Sequence, residues 1–125
     1  MGELFNFILV LQVLFCFSVE AKEVFPGVGQ TYVADYGSFK ARLSFHSETE
    51  MTYLITDGEG KGETETVQIQ VTFLRSKLYR VSWQEISKMT VVQIEDFKKE
   101  VVYSSLTDAN DHSFTSVFGS WKRLN

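Results

Sequence analysis

The sequence predicts an all-β protein: an antiparallel, up-and-down barrel of about eight short strands. Three observations carry this. Apolar and polar residues alternate with period two along several separate segments. Clusters of Gly, Asp, Asn, Ser and Lys fall between those segments as turns. No stretch after residue 21 repeats apolar residues at the spacing of an amphipathic helix.

In chain order, Leu4 to Phe17 is almost entirely apolar, and Val19-Glu20-Ala21 places small or apolar residues at the −3 and −1 positions of a cleavage site. Residues 1–21 are therefore expected to be a removable signal peptide, although the leading segment carries Glu3 and no Lys or Arg. The run is short for a membrane span; a buried core helix and an uncleaved anchor are the alternatives. Residues 22–125 form the expected barrel domain. Pro26, the single proline, favours an extended lead-in. Thr31–Tyr36 is the first strand, ended by Gly37. In Phe39–His46 one face holds Phe39, Ala41, Leu43 and Phe45, and the other holds Lys40, Arg42, Ser44 and His46. Met51–Thr56 follows, then a glycine-rich hairpin loop over Asp57–Gly62. Glu65–Leu74 turns Val67, Ile69, Val71 and Phe73 inward. Leu78–Glu85, Thr90–Phe97, Val101–Leu106 and Ser113–Leu124 complete the set, with Phe114, Phe118 and Trp121 the large residues of the last. A two-sheet sandwich fits the same alternation.

Composition narrows the function. Losing residues 1–21 removes Glu3 and Glu20 and moves the formal net charge from −4 to −2, so no basic surface suggests nucleic acid. The only cysteine, Cys16, leaves with the same segment, and the domain must hold together by burial alone. His46 and His112 lack ligand spacing and are read as surface residues. The Gly-rich loop lacks the Lys-Ser/Thr and helix that phosphate binding needs. No metal or cofactor is expected, and no membrane contact after cleavage. The predicted location is secreted, extracellular or periplasmic. A homodimer is compatible with the composition.

The informative positions are polar residues on inward faces. Tyr79, Val81, Trp83 and Glu85 share one face of their strand, which puts a carboxylate at the end of an apolar row. A four-residue turn over Ile86–Met89 would pair Glu85 with Thr90, Trp83 with Val92, Val81 with Ile94 and Tyr79 with Asp96. That register makes Glu85 and Asp96 the two inward acids. A carboxyl in such surroundings is a candidate general acid or base, and equally a solvated strand end.

These segments also carry a resemblance. Leu78-Tyr79-Arg80-Val81-Ser82-Trp83-Gln84-Glu85, Thr90 to Phe97 and the closing Phe118-Gly119-Ser120-Trp121-Lys122-Arg123-Leu124 resemble the MoaF-like family of small lipocalin-like, or calycin-like, barrels over roughly Gly29 to Leu124. The Tyr-x-Val-Ser-Trp-x-Glu segment also resembles the matching strand of phenolic acid decarboxylases. That likeness implies a catalytic role for Glu85, two substrate-holding tyrosines on the first strand and an arginine from a Gly-Arg-Trp motif. Tyr32 matches the first tyrosine. The second falls at Ala34, with Tyr36 nearby, and the arginine falls near Gly62–Thr64, where no basic residue stands.

Three functions follow from these readings. The first is a secreted module holding a small apolar or aromatic molecule in its lumen, with Tyr32, Phe45, Tyr53, Tyr79, Trp83 and Asp96 as candidate ligand-binding residues beside Glu85. The second is an enzyme using Glu85 as general acid or base, with Tyr32 as its partner. The third is a structural or interaction protein, which requires Phe39, Leu43, Val71, Phe73, Trp83 and Phe118 to fill the interior.

Overall fold

A computed structural model describes residues 23–125, and the proposed signal segment 1–21 lies outside the described residues. Nine strands run in order: β1 (Thr31–Asp35), β2 (Phe39–Phe45), β3 (Glu50–Gly58), β4 (Thr64–Gln68), β5 (Gln70–Arg75), β6 (Leu78–Gln84), β7 (Met89–Asp96), β8 (Val101–Asp108) and β9 (Phe114–Arg123). They form one antiparallel sheet ordered β4-β3-β2-β1-β9-β8-β7-β6-β5, curled into a nearly closed barrel. The two-sheet alternative is excluded.

The ninth strand comes from a bend. The segment expected as one strand over Glu65–Leu74 is split at Ile69. Its first half pairs with β3, from Glu50↔Gln68 to Leu54↔Thr64, and its second half with β6, from Gln70↔Ser82 to Arg75↔Leu78. One continuous stretch thus leaves one edge of the sheet and joins the other, which closes the barrel without a hydrogen-bonded β4–β6 ladder. Val67 and Ile69 stay buried across the bend. At the top of this seam the Glu65 carboxylate accepts the Ile86 backbone N–H at 3.0 and 3.3 Å, tying β4 to the β6–β7 turn.

The turn between β6 and β7 decides which residues face inward. It holds three residues, not four: Glu85 N–H donates to the Met89 carbonyl at 2.8 Å, and Lys88, at φ 70°, makes the sharp reversal. The register is consequently Leu78↔Asp96, Tyr79↔Glu95, Val81↔Gln93 and Trp83↔Val91. This is one residue away from the expected pairing, and such a slip sends every side chain of one strand to the opposite face. The inward residues of β7 are Val91, Gln93 and Glu95, not Val92, Ile94 and Asp96.

The barrel has two unlike ends. At the bottom, beside the β5–β6 and β7–β8 turns, aromatic rings make a floor. Phe25, delivered by the segment before β1, is 2% exposed and meets Phe45, Tyr79 and Phe97 edge to face at centroid distances of 5.2, 5.1 and 5.6 Å. Tyr32 stacks on Trp121 at 4.9 Å. Glu23 pins this plug by accepting Ser76 Oγ, Lys77 N–H and Tyr79 O–H at 2.8 to 3.0 Å. Where β1 meets β9, Gly119 is required by close approach: a Cβ there would collide with the Asp35 carbonyl oxygen. Tyr103 and Phe118 lie on the outer face, half exposed, so Phe118 does not fill the interior.

Candidate functional site

Above the aromatic floor the interior is not filled. A cavity of about 410 Å³ reaches up to the β1–β2, β3–β4, β6–β7 and β8–β9 connections. Much of its wall is apolar, with Ala41 and Leu43 from β2, Val91 from β7 and the ring of Trp83 from β6. Alternation places these side chains inward while their neighbours Arg42 and Gln84 face solvent.

Three polar side chains interrupt that wall. The Tyr36 hydroxyl hydrogen-bonds to Ser104 Oγ and accepts Gln93 Nε2 at 3.0 Å. Burial raises the Tyr36 pKa to about 12. Gln93 is 3% exposed, and its Oε1 has no hydrogen-bond partner among the described residues.

The upper wall is acidic. Glu59 and Glu63 from the β3–β4 turn and Glu85 after β6 all line the cavity. Glu85 Oε2 accepts Trp83 Nε1–H at 3.2 Å. Burial raises its pKa above the usual carboxylate range, and the charges of Glu65 and Glu63 add to this, against lowering hydrogen bonds from Trp83 and Tyr53. The Tyr53 hydroxyl donates to Glu65 Oε1 at 3.3 Å; burial, then the Glu85 charge, pushes the Tyr53 pKa up. No Lys or Arg among the described residues lines this cavity.

The structure brings Tyr53, Trp83 and Glu85 together on the cavity wall. It places Tyr32, Phe45 and Tyr79 in the floor instead, packed against Phe25, Phe97 and Trp121. Tyr32 therefore cannot serve as the partner of Glu85, which stands at the other end of the barrel; Tyr53 is the phenol beside it. Asp96 ends β7 at the bottom, where its Oδ1 accepts the Lys98 and Lys99 backbone N–H groups at 3.0 and 2.8 Å. It caps a turn.

Sequence reasoning missed Tyr36, Gln93 and Ser104 as wall residues, and Glu95 as the inward acid of β7. Glu95 is 0% exposed, neither carboxylate oxygen has a partner among the described residues, and burial drives its pKa well above the usual range. The one signal available was the alternative register with a three-residue turn.

A small antiparallel barrel with a plugged floor and a cavity open to one end defines the class. The chain belongs to the MoaF-like family, whose model matches residues 28–122. Among solved structures it is similar to a crystal structure described as "a putative beta-lactamase from Burkholderia vietnamiensis", with 28% identity and a TM-score of 0.76 over 82% of this chain and 100% of that one. No curated protein matches.

Proposed function

We propose that this chain is an exported binding module that holds one small, largely apolar or aromatic molecule above the aromatic floor. The observation that carries this reading is the cavity: about 410 Å³, mostly apolar walls and a few convergent polar groups. Pockets for small ligands have that size and that mixture. The export part rests on the sequence of residues 1–21 alone. Native mass spectrometry of the protein recovered from the medium tests the proposal, because it reads cleavage after Ala21, oligomeric state and any co-purifying ligand together. Uptake of an apolar fluorophore by the wild type, and its loss in Val91→Trp, is the expected companion result. Uptake unchanged by that substitution removes the cavity as the binding site.

Glu85 supports a second reading, an enzyme with this carboxyl as general acid or base, since it lines the cavity with a raised pKa and a phenol nearby. A hydroxycinnamate-type substrate fits poorly, because among the described residues no Lys or Arg lines the cavity to meet its carboxylate. Loss of hydroxycinnamate absorbance that disappears in Glu85→Gln is the result the decarboxylase-like version of this reading requires; no turnover, or turnover unaffected by Glu85→Gln, removes that version. Lactam hydrolysis is also poorly served. Ser104 is bonded to a phenol whose raised pKa keeps it protonated at neutral pH and so unable to take the serine proton, and no lysine among the described residues lines the cavity.

A further inference from the structure

The cavity's polar groups are one-sided. Its ionisable carboxyls are Glu59, Glu63 and Glu85, with Glu65 directly behind, and its unpaired polar atom is an acceptor, Gln93 Oε1. The cations near the rim do not answer them. Lys40 is exposed and pairs with Asp35 at 3.7 Å, while Lys61 and Lys88 project from the turns as exposed residues. Among the described residues no three or more His, Cys, Asp or Glu are grouped to hold a metal ion. The acids are spread around a mostly apolar chamber, an arrangement that suits a diffuse organic cation better than a compact ion.

We infer that the cavity selects organic cations, specifically an amine carried on a small apolar or aromatic body, with Glu85 and the acids of the β3–β4 turn facing its charge and Gln93 Oε1 accepting a donor from the ligand. This deepens the ligand-binding reading and rests on it. An unpaired buried acceptor is costly until a donor arrives, and an ammonium brings several donors. Glu85 lies where water is partly excluded, so its attraction for a cation is less screened than at an open surface, while the exposed Glu59 and Glu63 add charge at the mouth. The rings of Trp83 and Tyr53 add faces against which a cation can rest.

The test uses three ligands that share one body: phenethylamine, phenethyl alcohol and hydrocinnamate, titrated by calorimetry into protein produced from the full-length chain. The amine is expected to bind about tenfold or more tightly than the alcohol, in line with a charge-assisted hydrogen bond, and the carboxylate most weakly. Added salt should weaken the amine and leave the alcohol unchanged. Glu85→Gln should reduce amine affinity while sparing the alcohol, and Gln93→Leu should weaken both, since each ligand brings a donor to the Gln93 Oε1. If Glu85→Gln fails to fold, the exposed pair Glu59→Gln and Glu63→Gln reads the same charge dependence. Alcohol binding as tight as amine binding overturns the cation inference and leaves the binding module standing. No binding by any of the three, with no fluorophore uptake, overturns both.

Discussion

Glu95→Gln should stabilise this protein at neutral pH, and the size of the gain should depend on pH. Glu95 is fully buried on β7 between its cross-strand neighbours Tyr79 and Val102, and both its oxygens are unpartnered. Tyr32 and Tyr36 feel its charge, but neither donates to it. Burial therefore holds the folded carboxyl in its neutral form, well above the ordinary pKa of 4.5. The unfolded chain binds fewer protons than the folded one above that value, so stability falls as pH rises until the folded pKa is reached. Each unit of elevation costs about 1.36 kcal/mol, which caps the penalty at pH 7 at about 3 kcal/mol. Glutamine keeps the shape and polarity and cannot ionise. Urea or thermal unfolding at a series of pH values should show wild type and variant nearly equal near pH 4.5. They should diverge toward neutrality by up to about 3 kcal/mol, on the order of 10 °C or more for a domain of this size. Parallel curves, or a variant that loses ground as pH rises, would show an ionised and compensated carboxylate and refute the reasoning.

Three further outcomes are expected. Phe25→Ala should remove the floor plug and cost about 3–5 kcal/mol of unfolding free energy in chemical denaturation, since Phe25 is buried against three rings. Gly119→Ala should lower the melting temperature sharply and loosen amide exchange in β1 and β9, because the new Cβ meets the Asp35 carbonyl and only movement of the seam relieves it. Amine affinity should rise with pH through the elevated pKa of Glu85 and then level off, because a cation binds the ionised carboxyl that Tyr53, Glu63 and Glu65 surround; calorimetry across that range should give a flat line for the alcohol.

Much of the fold was legible because alternation is so regular here. Ala41, Leu43 and Phe45 are buried as their spacing requires, and Arg42 between them is exposed. The bend at Ile69 was hidden for the same reason: Val67, Ile69 and Val71 keep their parity through it, and period two carries no record of a change of partner. The register of β7 was hidden because both its faces look alike. Val91 and Val92, Glu95 and Asp96 offer an apolar residue and an acid to either side, so the turn alone decides. Lys88 makes that turn in a conformation usually signalled by Gly or Asn. Height along the barrel is a further quantity that alternation does not encode. Tyr32 and Phe45 face inward as expected, yet strand stagger sets them in the floor, below the cavity.

The seam between β1 and β9 also constrains how the molecule comes into being. β1 is the first strand of the described chain and β9 the last, and Tyr32 pairs with Arg123. A chain emerging from a ribosome or a translocation pore can form the hairpins of β1 with β2 and of β2 with β3 early. The free edge of β1 must then wait for the remaining strands to arrive. During that interval it is an open template for another chain. Long-range closure of this kind slows assembly relative to local pairing. The molecule is thus most vulnerable to aggregation while it is being made, and a partner that shields the β1 edge at that stage would raise yield without altering the finished barrel.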